Sequence, residues 1–170
     1  MRTLAVLVLV FAGFVATPAD AREFVAQASD FTCISDWAKV RHTRVFNKNK
    51  RLLKKAIRIL ERDKPNKHFP VGTILQLWPG EASVKRGGQY DPENDGWEFF
   101  SLKTSASGTT IADRGITTRN FQNLECQPCH VAAKKFDFVC EHGHGCGELG
   151  LPDSVFDALQ AGDSRCQPAH

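Results

Sequence analysis

Apolar residues recur along this chain in different rhythms, and each rhythm predicts an element. Residues 4–15 form an apolar run interrupted only by small residues. Residues 47–62 set Leu52, Leu53, Ala56, Ile57 and Leu60 on one face at helical spacing. Lys48, Lys50, Arg51, Lys54, Lys55, Arg58 and Arg62 take the remainder, and Pro65 prevents the helix from continuing. Beyond it the period shortens to two. Residues 73–78 alternate, with Thr73, Leu75 and Leu77 on one side and Ile74, Gln76 and Trp78 on the other. Pro79-Gly80 turns this strand. Residues 82–85, 97–103 and 109–113 read as further strands; in the strongest of them Trp97, Phe99 and Ser101 oppose Glu98, Phe100 and Leu102. A short helix is expected within 30–43, where Ser35-Asp36 is a candidate cap pair ahead of Trp37 and Val40. One or two more helical turns are expected at 155–159. Strands this close together, without helices between them, predict an antiparallel sheet. The expected class is therefore α+β: an antiparallel sheet with N-terminal helices, followed by a cysteine-rich segment on a C-terminal loop or short helix.

The first apolar run has a specific meaning. Arg2 precedes it, Thr17-Pro18 breaks it, and Ala19-Asp20-Ala21 supplies a small-x-small cleavage site. Residues 1–21 thus read as a secretory signal peptide, leaving 22–170 as one domain. The run is short for a bilayer span, and no later stretch is long or apolar enough to be one. The expected location is periplasmic or secreted. A net charge of +3 on an exported chain argues against nucleic acid as a partner. The basic helix face is either a dock for an acidic redox protein or a solvated surface.

Candidate chemistry centres on Cys126-Gln127-Pro128-Cys129-His130. Two cysteines separated by two residues and followed at once by histidine form the attachment signature of c-type haem. Each thiol adds across one haem vinyl group to give a thioether, and the spacing matches the two vinyls. His130 is then held beneath the iron as its axial ligand. A zinc site would need a second ligand pair at suitable spacing, and a redox dithiol would need a thioredoxin-like βαβ context. Export agrees with haem, because attachment is made outside the cytoplasm. The other four cysteines, Cys33, Cys140, Cys146 and Cys166, suggest two disulfides in an oxidising compartment. Three connectivities are open; Cys140–Cys146 with Cys33–Cys166 is the pairing expected. His142 and His144, between two of these cysteines, leave copper or zinc binding as the other use of that loop. The only methionine is Met1, which leaves with the signal, so His/Met ligation of iron is excluded in the mature chain. The iron is either open on one side or held by a second histidine. His42, His68, His142, His144 and His170 are the candidates, and none is marked as a ligand by its surroundings in the sequence.

Residues 37–139 resemble the cytochrome P-460/cytochrome c′-beta family of exported mono-haem proteins. The resemblance rests on Trp37-Ala38-Lys39-Val40, on Phe69-Pro70-Val71-Gly72-Thr73, on Gly96-Trp97-Glu98-Phe99, and on the haem motif with the later Asp137-Phe138-Val139. It implies a largely antiparallel β fold, one covalent haem c on Cys126 and Cys129, and His130 as sole protein ligand facing an open site. Val71 stands where the family's turn usually has aspartate. More consequentially, Leu77 stands where cytochromes P-460 carry the lysine that cross-links to haem, a bond that accompanies hydroxylamine oxidation. Leucine cannot form it. The resemblance therefore points to the c′-beta branch, with Leu77 in an aliphatic distal pocket that takes NO or CO. Two other readings stay open: an enzyme oxidising hydroxylamine or reducing peroxide or nitrogen oxides, and a bis-His electron carrier. A redox partner protein and a homodimer also stay open.

Overall fold

The computed structural model describes residues 23–147 and 149–166. The expected signal peptide and His170 lie outside the described residues. Six strands form one antiparallel sheet in simple sequential order: β1 Ala38–Val40, β2 Thr43–Phe46, β3 Ile74–Gln76, β4 Glu81–Lys85, β5 Trp97–Ser105 and β6 Gly108–Gly115. Among the described residues three α-helices accompany it: α1 Lys50–Arg62, α2 Cys126–Val131 and α3 Asp153–Ala161. The α+β class is as the sequence predicts, and four of the strands fall on the expected segments.

The segment 30–43 differs. It holds one 3₁₀ turn, Ile34–Asp36, and then the β1–β2 hairpin, where a helix was expected. Val40 and Val45 pack on one side of the sheet, whereas Trp37 and Phe46 pack on the other, their rings stacked 5.2 Å apart. Residues divided between two faces of a sheet cannot also share one helical stripe. Among the described residues, the long helix before the main strands is α1, between β2 and β3. Asn49 caps it by accepting the Arg51 and Leu52 N–H groups, and Asp63 closes it in the left-handed region.

Helix α1 lays Leu53, Ala56, Ile57 and Leu60 on one sheet face, against Val45, Leu75, Trp97 and Phe99. Complete burial of a side chain of leucine size stabilises by roughly 1.5–3 kcal/mol. The other face carries Ile74, Val84, Phe100 and Leu102 and is covered by Ala26, Phe31 and Trp37. The central strands are thus buried on both sides, and even Glu98 and Gln76 are enclosed. Glu98 is neutralised by Arg114, whose Nε and Nη2 each donate to it at 2.8 Å. The cysteines pair as expected: Cys33–Cys166 joins the two ends of the described chain, and Cys140–Cys146 closes a short loop after α2.

Candidate functional site

The chain after β6 leads into α2, whose Cys126 packs against the same core cluster that α1 covers. The Cys126 N–H donates to the Thr118 carbonyl at 2.9 Å, which fixes the start of the helix. Between α2 and the sheet lies a cleft of about 180 Å³. Cys126, Cys129 and His130 line it, as do Leu75, Leu77, Glu81, Ser83, Phe99 and Val139. The register explains the wall: Leu75 pairs with Ser83, and Ser83 with Phe99, so these side chains stand abreast on one face. Leu77 is half-buried just beyond β3, and its carbonyl accepts from Gln160 Nε2 on α3 at 2.9 Å.

Cys126 and Cys129 are the two cysteines left as free thiols. Burial pushes the Cys126 thiol up to about 12, and the nearby Glu81, Cys129 and Asp113 add to the effect. His130 Nδ1 lies 2.7 Å from the Phe138 carbonyl oxygen. Only a protonated Nδ1 can donate to a carbonyl, so Nε2 carries the lone pair. Burial lowers the His130 pKa, partly offset by that hydrogen bond, and keeps the ring neutral and able to ligate. The Phe99 ring packs 4.7 Å from the imidazole. Two free thiols and one oriented imidazole on a single cleft are the donor set that a covalently attached metal macrocycle requires.

No family model matches this chain, and neither a curated protein nor a solved structure matches it.

The remaining histidines are placed elsewhere. His42, His68, His142 and His144 do not line the cleft. His144 is buried. Its Nδ1 lies 2.6 Å from the Val139 carbonyl and its Nε2 2.6 Å from Asp63, with the ring stacked on Phe136. Both nitrogens of His144 are engaged and the flanking cysteines are bonded to each other, so none of these three residues presents an open ligand atom. His68, Asp95 and Asp137 offer ligand atoms within 4.8 Å of one another. The Lys85 ammonium already stands among them, 2.6 Å from Asp95 and 2.7 Å from Asp137.

Two features of the site escape sequence reasoning. Glu81 was placed outside the strand, yet it begins β4 and lines the cleft. Burial pushes its carboxyl up to about 7, although the Phe121 N–H donates to it at 2.7 Å and pulls the other way. The wall is therefore not wholly aliphatic: it holds a group that exchanges a proton near neutrality. The second feature is the Phe138 carbonyl, a backbone acceptor with no signature of its own beyond the Asp-x-Val stretch.

Proposed function

We propose that this protein is an exported mono-haem c-type cytochrome, akin to the cytochrome P-460/cytochrome c′-beta family, that binds NO or CO at an open iron site. The observation that carries the reading is the convergence of Cys126, Cys129 and His130 on one cleft, with Nδ1 tied to Phe138 and Nε2 left as the lone-pair nitrogen. Cys126 and Cys129 would hold haem as thioethers, and His130 would be its iron ligand. The haem supplies an iron centre that takes a neutral diatomic ligand. Among the described residues no second histidine lines the cleft, which favours an open site over bis-His ligation. Leu75, Leu77 and Phe99 give that cleft apolar walls, suited to a small uncharged ligand. The two disulfides suit a periplasmic or secreted location, and no described helix is long and apolar enough to cross a membrane. One observation favours the second reading, an enzyme acting on small nitrogen or oxygen species: Glu81 places an exchangeable proton on the cleft wall.

Production with a c-type maturation system tests the proposal. The wild type is expected to retain haem on a denaturing gel, and a Cys126→Ala/Cys129→Ala variant to lose it. The ferrous protein should be high-spin and five-coordinate, and should shift on adding CO or NO. A low-spin spectrum before any ligand is added would replace the open site with bis-His ligation. Covalent haem in the double variant would remove the assignment altogether. Vigorous hydroxylamine turnover by the wild type would favour the enzyme.

A further inference from the structure

Asp137 is a carboxylate whose side chain is wholly withdrawn from solvent, and both of its oxygens are engaged. Oδ1 lies 2.7 Å from Lys85 Nζ, and Oδ2 accepts the Phe69 N–H at 2.7 Å. Lys85 is itself buried on β4, 5.2 Å above the Trp97 ring, and it also bonds Asp95. The aspartate is therefore gripped from two directions, by β4 and by the turn leading into β3.

The backbone at this point is exceptional. Asp137 has φ 56° and Phe138 has φ 60°. Aspartate visits the left-handed region with some ease, but a bulky aromatic residue seldom does. Two such residues in succession persist only where the surroundings over-determine them. The result is the direction of one carbonyl, that of Phe138, which receives the His130 Nδ1–H. The Phe138 ring, in the core against α1, anchors the same residue from its side-chain end.

We infer that the buried Lys85–Asp137 pair is a positioning device for His130: it holds the left-handed Asp137–Phe138 backbone so that the Phe138 carbonyl fixes the imidazole's orientation and tautomer. The inference rests on the reading of His130 as an iron ligand. A firm bond to Nδ1–H makes the ring a stronger electron donor through Nε2. A pair that only stabilised the loop would have no such consequence for the ring.

The experiment uses the full-length haem protein, comparing wild type with Asp137→Asn, Lys85→Gln and Lys85→Arg. Val84→Ala, in the core on the opposite sheet face, serves as a control for lost stability. Resonance Raman of the ferrous form reads the iron–histidine stretch, and a redox titration reads the midpoint potential. Asp137→Asn keeps an acceptor for the Phe69 N–H but removes the charge. It and Lys85→Gln are expected to retain covalent haem, shift the stretch to lower frequency and raise the potential. Lys85→Arg should stay near wild type in both readouts, and Val84→Ala should melt earlier without moving either. If Asp137→Asn does not fold, Lys85→Gln decides, since it keeps a donor at the same place. Unchanged stretch and potential in a folded, haem-bearing variant would overturn the inference, as would an equal change in Val84→Ala. A wild type without covalent haem, or without an iron–histidine band, is a different result and would overturn the functional reading instead.

Discussion

A carboxyl group on an enclosed wall loses hydration that its charged form needs more than its neutral form does. Glu81 is in that position, and its pKa is pushed up to about 7 for that reason. The linkage has a definite sign. In the unfolded chain the group ionises near its ordinary 4.5; in the folded chain it keeps its proton to about 7. The folded state binds the extra proton over that interval, so stability is complete below about 4.5 and is lost as pH rises through about 7. Asp137 is pushed up by burial and by the neighbouring Asp95 against the pull of Lys85, whereas Asp95, despite its own burial, is held down by its hydrogen bonds to Asp137, Lys85 and His68, so the shifts of this pair oppose each other. The difference between wild type and a Glu81→Gln variant isolates Glu81. Urea midpoints measured at pH 5 and pH 8 should fall more for wild type than for the variant. Equal falls would show that Glu81 ionises as a solvated carboxylate.

Turns decide how the strands meet the site, and two of them depend on glycine for different reasons. Pro70-Val71-Gly72-Thr73 closes with the Thr73 N–H donating to the Pro70 carbonyl at 3.1 Å, and Gly72 takes φ 82°. That is a type II turn, which needs glycine at its third position and does not need aspartate at its second. Val71 is therefore compatible with the same turn. At the start of β5 the constraint is closer. Gly96 has φ 75°, and a Cβ there would stand 1.9 Å from the Gly87 carbonyl oxygen. Both are backbone features with no flexible side chain to give way. Gly96→Ala is expected to lower unfolding stability by more than about 2 kcal/mol. Gly88→Ala, which meets nothing within 4 Å, should stay within about 0.5 kcal/mol of wild type. Urea unfolding of the two variants beside wild type checks both expectations. A mild effect at Gly96 would mean that the β4–β5 connection can move apart.

The disulfides act over very different lengths of chain. Cys140–Cys146 closes a loop of six residues in sequence separation and pins His144 between Val139 and Asp63, tying the segment after α2 to the end of α1. Cys33–Cys166 spans 133 residues and binds the 3₁₀ turn that precedes the sheet to the segment that follows α3. Restricting the unfolded chain over so long a loop stabilises by about 4–5 kcal/mol in the chain-entropy account. Around it, Asp163 accepts the Ile34 N–H at 2.9 Å and pairs with Arg165, so the junction is also hydrogen-bonded. A Cys33→Ala/Cys166→Ala variant is expected to lose several kcal/mol in urea unfolding, well beyond the loss from Cys140→Ala/Cys146→Ala. Comparable losses from the two would assign the stability to local contacts instead of chain restriction.

Much of this molecule is legible in its sequence, and the boundary of what is legible has a physical origin. Helix α1, strands β3 to β6 and the Cys126–Cys129–His130 cluster announce themselves through periodicity, turn residues and fixed spacing, all of which are local. The β1–β2 hairpin did not, because three- and four-residue strands are too short for alternation to stand out and Trp37 and Val40 also suit a helix. Alternation puts Gln76 beside Ile74 and Glu98 beside Phe100 on one side of their strands without showing what covers that side; a second layer buries both, and only folding brings that layer there. The same holds at the site. Spacing marks His130 as a candidate ligand, whereas the direction of its lone pair depends on the Phe138 carbonyl, and that carbonyl on Asp137 and on Lys85, 52 residues away. Glu81 likewise acquires its proton affinity from walls contributed by other segments. Local pattern determines which elements form and which residue types carry the chemistry; desolvation and long-range hydrogen bonds, which no local pattern encodes, set orientation and ionisation.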